Sequence, residues 1–302
     1  MNGLTDYITD AAWEDMLTVT FVLIDDAYQA LEQTHGRWRR RGPRPRFHDS
    51  EVITVAVFID SVFHGHEALG LSFLRRYHAD LFPALPANGR FNERRRELAL
   101  IIDQLRGYLV ETWGLVEPHD NLRLLDSAPI PVCTYTRAKA NATLSGGEYF
   151  GWMPSRKAKL FGLRLYLTAT TEQVATEWML APAGPHDSQM LGALLEYAHG
   201  LVLLADGAFN NPALRAPLMR RDVSVYATPR IDSRRPWPPT FRRLATRLRR
   251  RIETAFSVLV TVFNLERPGS RSLSGLVARV ATRLLAYDLS FILSTLLSQQ
   301  AR

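Results

Sequence analysis

Cysteine is nearly missing from this chain of 302 residues. Cys133 stands alone, so no disulfide framework can hold the fold, and a reducing, cytoplasmic setting is expected. Lysine is almost as scarce: only Lys139, Lys157 and Lys159 occur among 37 basic residues, so the cationic character is arginine. Long apolar runs are lacking as well, and the stretch Leu284 to Leu297, interrupted by Asp288, reads as too short for a membrane span. The first residues carry Asp6, Asp10, Glu14 and Asp15 where a signal peptide would be basic and then apolar. There is no glycine-rich phosphate loop, and His64 and His66 lack companion cysteines for a zinc site. Cys133 itself reads as an inert small residue.

What is present suits a folded protein of about two domains. With 46% hydrophobic and 22% charged residues, the chain can build a core, which excludes disordered, collagenous and coiled-coil readings. The net charge of +7 is uneven. Residues 1–118 hold 13 Lys/Arg against 17 Asp/Glu, residues 119–229 hold 10 against 9, and residues 230–302 hold 14 against 4. Nine arginines and one acid, Asp232, fall between Arg230 and Arg251. A second group, Arg37, Arg39, Arg40, Arg41, Arg44 and Arg46, has no acid among its members. Clusters of this kind suit phosphate backbones, where each neutralised phosphate releases a counterion.

Periodicity divides the chain near residue 118. Trp13, Leu17, Phe21, Ile24, Tyr28 and Leu31 recur at helical spacing, predicting a helix over 11–33. A basic Gly/Pro linker follows. A second helix runs through Val52, Val55, Ile59 and Phe63, with Asp49 or Ser50 placed to cap it. A third is expected from Ser72, and a fourth from Asn92 through Leu109. Beyond 118 the pattern alternates. Strands are expected at 121–126, 161–170, 174–180, 201–206 and 223–227, with helices near 190–198 and 212–219, then one carrying Leu244 to Phe263 and one over 276–297. This predicts a helical domain over 1–118 and an α/β domain over 119–302 with a mixed, helix-covered sheet. The glycine-containing segment 128–159 is a long excursion of the functional or mobile kind.

Two apolar strand patterns, NLRLLD and LVLLAD, end in carboxylates, Asp126 and Asp206. In open α/β sheets the carboxyl ends of strands are where ligands bind. If the strands are neighbours, the two charges repel unless a cation intervenes, and oxygen ligands suit Mg²⁺ or Mn²⁺. Glu253 lies beside the apolar stripe of its helix, four residues after Arg249. Three such carboxylates can hold two metal ions for phosphodiester chemistry. Blander readings stand beside these: Asp126-Ser127 and Asp206-Gly207 as turns, Glu253 as an i,i+4 partner of Arg249, and His186-Asp187 as a helix cap or an accessory pair.

Taken together, LLDSAPIPVC (124–133), FGLRLYL (161–167), GPHDSQML (184–191), LLADGAF (203–209) and RRRIETAFSVLVTVF (249–263) resemble a bacterial DDE transposase. The resemblance is to the insertion-sequence 982 family, related to the fourth and fifth families, and spans residues from about 45 to 297. It implies an RNase H-like core with Asp126, Asp206 and Glu253 as both catalytic triad and metal ligands. It also implies two Mg²⁺ ions (Mn²⁺ substituting), cleavage at terminal inverted repeats and attack of the freed 3′-OH on target DNA by a homodimer. Arg249 matches the arginine of the family signature Y-(2)-R-(3)-E-(6)-K, whereas Thr246 and Val260 replace its tyrosine and lysine. Arg164 stands where the family strand carries lysine, and Tyr166 where it carries histidine. The arginines expected to contact double-stranded DNA are Arg39, Arg40, Arg164, Arg242, Arg243, Arg249, Arg250 and Arg251. Two rivals share most of these features: an RNase H-like nuclease without strand transfer, and a non-catalytic or domesticated DNA-binding protein.

Overall fold

A computed structural model describes residues 10–38, 43, 45–141, 144–153, 157–229, 236–270 and 272–300. Arg39 and Arg40 lie outside them. The chain runs through helices α1 (Asp10–His35), α2 (Asp49–Val62), α3 (Glu67–Tyr77), α4 (Asn88–Glu97) and α5 (Ala99–Thr112), then strands β1 (Leu122–Pro131), β2 (Phe150–Met153), β3 (Ala158–Ala169) and β4 (Ala175–Pro182). Helix α6 (Asp187–Leu194), β5 (Val202–Ala205), α7 (Arg215–Met219), β6 (Ser224–Ala227), α8 (Pro239–Thr261) and α9 (Leu273–Gln300) complete it. The expected fourth helix is two, because Leu98 leaves the helical backbone (φ −89°, ψ 1°) and serves as the end of α4 and the start of α5. Helix α2 is capped one residue earlier than expected: His48 takes the extended N-cap conformation, and its backbone N–H donates to the Glu51 carboxylate.

Two compact units result: residues 1–115 with 259–302, and residues 116–258. The sequence division keeps everything after 118 together, whereas the second compact unit ends at 258. The physical reason is α9. By length and composition Leu273–Ser298 would pass as a membrane-crossing helix, which the sequence reading did not foresee, yet most of its apolar window is buried within the protein. It carries charges that pair with side chains of the helical unit. Arg279 meets Glu67 at 3.0 Å, Arg283 lies 4.0 Å from Asp60, and Asp288 accepts from Arg106 at 3.1 Å. Arg95 from α4 joins this group, pairing with Asp60 and approaching Glu67 at 3.7 Å. Burial pulls the Arg283 guanidinium down to about 10, with Arg95 and Arg279 adding like charge and Asp60 opposing the fall. Gly65 makes room for it: with φ +80°, an added Cβ there would come within 2.6 Å of Arg283 Nη2.

In the other unit the sheet order is β2-β3-β1-β5-β6, with β4 also on β3. The pairings β1–β3, β3–β4 and β2–β3 are antiparallel, whereas β1–β5 and β5–β6 are parallel. On one face, Leu125, Tyr166, Leu203 and Ala205 from the sheet pack with Leu191, Leu194 and Leu195 around α6. β2 was not expected. Its four residues, Phe-Gly-Trp-Met, are too few for alternation to show.

Removing Asp60 would leave Arg95 and Arg283 buried without their carboxylate. Asp60→Ala should cost about 3–5 kcal/mol in denaturant unfolding. A loss below 1 kcal/mol would mean that the remaining partners satisfy both guanidinium groups.

Candidate active site

The parallel pair β1–β5 sets the site. Its register runs from Leu122↔Val202 to Leu125↔Ala205, and the next residue on each chain is an aspartate, Asp126 and Asp206. β5 stops there, while β1 continues to Pro131, paired with β3 alone. Asp126 therefore lies inside a strand, opposite Leu167, and neither ends its strand nor begins a turn as the sequence allowed. It sits at the carboxyl edge of the parallel half of the sheet. Because side chains alternate, Asp126 projects from the face opposite Leu125 and the α6 core.

Each aspartate is oriented by a backbone amide. Ser127 N–H donates to Asp126 Oδ1 at 2.8 Å, and Ala208 N–H donates to Asp206 Oδ1 at 2.7 Å. Asp206 is also the N-cap of a 3₁₀ turn over Gly207–Phe209, so the turn reading and the site reading of this residue hold together. Gly207 is required by close approach: an added Cβ would meet the Thr228 carbonyl at 2.9 Å. Thr228 in turn donates its backbone N–H to the Ala205 carbonyl at 3.0 Å, fixing the chain behind the site.

Asp126 is pushed up to about 6, first by burial and then by the negative charges of Asp206 and Glu253. The Ser127 amide and the Arg249 guanidinium oppose the rise. Asp206, just past β5, and Arg249 and Glu253, both on α8, are thus within electrostatic reach of Asp126. Glu253 is exposed, one residue from the buried Ile252, and Arg249 is half-buried with its Nε atom lacking a hydrogen-bond partner. Among the described residues no group of three or more His, Cys, Asp or Glu side chains is drawn together as a preformed metal cage. The donor chemistry still suits a hard divalent cation: carboxylate oxygens, an excess of negative charge, and a buried acid whose ionisation a cation would ease.

The remaining expected contacts divide. Arg242, Arg243, Arg250 and Arg251 are exposed on α8. Arg251 is engaged within this unit, donating to the Thr171 carbonyl at 2.7 Å and pairing with Glu172 at 3.3 Å. Arg164, three residues from Leu167 on β3, projects from the opposite face to Asp126 and donates to the Trp152 carbonyl at 2.7 Å. His186 and Asp187 form a helix cap. The His186 ring accepts from Ser188 N–H, and Asp187 accepts from the Tyr166 hydroxyl at 2.9 Å. The amides of Ser127 and Ala208 leave no trace in residue type, because any residue but proline supplies a backbone N–H.

Two adjacent aspartates thus stand at the edge of the parallel half of a mixed sheet, with Arg249 and Glu253 of α8 within electrostatic reach of Asp126. Among solved structures, the fold is similar to that in the cryo-EM structure of the piggyBac transposase synaptic complex with hairpin DNA. The TM-score is 0.50 at 11% identity, over 94% of this chain and 74% of that one. The Mos1 transposase paired-end complex with left transposon end aligns over 85% of this chain and 99% of that one, at 13% identity and a TM-score of 0.21 that carries no weight for the fold. No curated protein matches the chain. The family profile described as the transposase DDE domain matches residues 117–289, more than half of the sequence. The chain belongs to that family and is a DDE-type enzyme; such transposases work with divalent metal ions.

The raised pKa gives a signed test. The folded state holds the Asp126 proton more tightly than the unfolded chain, in which the carboxyl titrates near 3.8. Stability from this group is full below that value and is lost as pH rises through about 6. In chelator, Asp126→Asn should therefore gain roughly 2–3 kcal/mol over the parent chain between pH 4 and pH 8. Denaturant titrations at the two pH values measure this, and a constant difference would show that Asp126 ionises as it does in water.

Proposed function

We propose that this transposase acts on the terminal inverted repeats of an insertion sequence akin to the 982 family, with Asp126, Asp206 and Glu253 as its catalytic triad. The observation that carries the proposal is the β1–β5 register, which sets Asp126 beside Asp206, together with the reach of Glu253 from α8. The meander of β1, β3 and β4, followed by parallel β5 and β6, supports an RNase H-like core. DNA is the proposed partner, in keeping with the solved relatives and the exposed arginines of α8. Acting on two ends favours a homodimer, and the cytoplasm is the proposed compartment.

Asp126 and Asp206 would hold the metal between them, each kept in place by its backbone amide, and Glu253 would complete the ligand set from α8. Two Mg²⁺ ions, with Mn²⁺ as a substitute, would activate the attacking oxygen and stabilise the leaving oxygen of the phosphodiester. The protein's own part is positional and electrostatic. Asp126 accepts positive charge readily, because its ionised form is otherwise strained by burial and like charge. Arg249 offsets part of that negative charge before any substrate arrives. The exposed row Arg242, Arg243 and Arg250 neutralises phosphates along the incoming duplex.

An end-cleavage and joining assay on DNA bearing the flanking inverted repeats, in Mg²⁺, Mn²⁺ or chelator, tests this. Asp206→Ala and Glu253→Ala should each lower metal-dependent cleavage by roughly a thousandfold or more while leaving DNA binding intact. Full activity of either variant would sink the triad assignment. Cleavage without joined product would point to a nuclease, and binding without cleavage in any metal to a repurposed DNA-binding protein.

A further inference from the structure

The excursion between β1 and β3, with the ribbon it forms, carries among its described residues both exposed aromatic rings and cations that the proposed site leaves unused. From Tyr135 to the start of β3, the described residues include Arg137, Lys139, Lys157 and Lys159 against one acid, Glu148. All three lysines of this arginine-biased chain fall here. Their clustering is therefore not a by-product of the composition.

The structure organises them on the β2–β3 ribbon at the edge of the sheet. Trp152 is the direct cross-strand partner of Lys159, so both side chains leave the ribbon on the same face. Lys159 Nζ stands 5.2 Å over the Tyr135 ring, and Tyr135 meets Phe150 edge-on at 5.4 Å. Phe150 packs on Phe161 at 4.8 Å, and Phe161 is buried, so this row is anchored to the core. Arg164 ties the backbone from the other strand through the Trp152 carbonyl. Yet Trp152 is 50% exposed and Tyr135 is 39% exposed. A large apolar ring held open on a rigid ribbon, with an ammonium group beside it, is the arrangement that stacks on a base and binds the adjoining phosphate.

We propose that the β2–β3 ribbon is a DNA-contact surface, on which Trp152 stacks against an unpaired base while Lys159 and its neighbours neutralise phosphates. The choice of DNA rests on the transposase reading above. The ribbon lies within reach of the site. Lys159 is eight residues along β3 from Leu167, which faces Asp126, and an extended strand covers at most ~3.4 Å per residue. The contact therefore falls within about eight base pairs of the cleaved phosphate, at one base per ~3.4 Å of strand. A lysine on an edge strand also guards against edge-to-edge pairing. That simpler role predicts changed aggregation and unchanged DNA affinity.

The test is equilibrium binding of the full chain, in chelator, to a single-stranded oligonucleotide of mixed sequence and to its fully paired duplex. Trp152→Ala should weaken single-strand binding roughly tenfold, Trp152→Phe should restore most of it, and duplex binding should change little. Lys159→Gln should lower the salt slope by about one counterion. Arg243→Gln on α8 serves as the separate control for the transposase reading. Loss of duplex affinity in Arg243→Gln with no effect of Trp152→Ala overturns the ribbon alone. Failure of the unaltered chain to bind either DNA overturns both readings.

Discussion

Two strands of unequal length in parallel register govern the catalytic unit. β1 and β5 pair residue for residue up to Leu125 and Ala205, then β5 ends and β1 goes on with β3 as its neighbour. Where the partner stops, the sheet opens a notch, and the next residue on each strand is an aspartate. A carboxylate inside a sheet is costly unless an amide, a cation or water meets it. Here the amides of Ser127 and Ala208 meet one oxygen of each, and Arg249 approaches from α8. Burial first, and then the negative charge of Asp206 and Glu253, outweigh these partners, which is why the Asp126 carboxyl holds its proton to about pH 6. The site is a place where the fold tolerates electrostatic strain that a cation would remove.

The helical unit solves the opposite problem. Arg95, Arg279 and Arg283 bring three guanidinium groups to Asp60 and Glu67, so positive charge is in excess and burial draws Arg283 downward. Such a group adds less stability than a well-packed apolar core would, but it is selective. An apolar helix could slide or rotate against its neighbours at small cost. Arg279 and Arg283, one turn apart on α9, accept one placement, opposite Glu67 and Asp60. The chain's last helix thus returns to the unit formed by its first 115 residues.

Much of this was legible in sequence. Asp126, Asp206 and Glu253 could be singled out because apolar strand patterns ending in acids, followed by an amphipathic arginine helix, leave a trace in residue type and order. Strand β3 showed in the alternation of FGLRLYLTAT. What stayed hidden depends on partners that are remote in sequence. The continuation of β1 beyond Asp126 needs β3 beside it, and residues Ala128 to Pro131, with two prolines, look locally like a turn. The return of α9 rests on Arg279 finding Glu67, more than two hundred positions away. β2 has too few residues for any period to appear, yet it orients Trp152.

Counting arginines would also have misjudged the surface. α8 carries a dense cationic run, but its members do different work. Arg249 is half-buried and offsets charge at Asp126, and Arg251 is tied to Thr171 and Glu172 at the β3–β4 turn. Arg242, Arg243 and Arg250 are left exposed. Arg164, matched by position to a family lysine, is held by the Trp152 carbonyl and braces the β2–β3 ribbon. On that ribbon Lys159 lies over the Tyr135 ring, across the strand pair from an open tryptophan. Net charge draws the chain toward nucleic acid, but placement on rigid elements decides which cations can touch it.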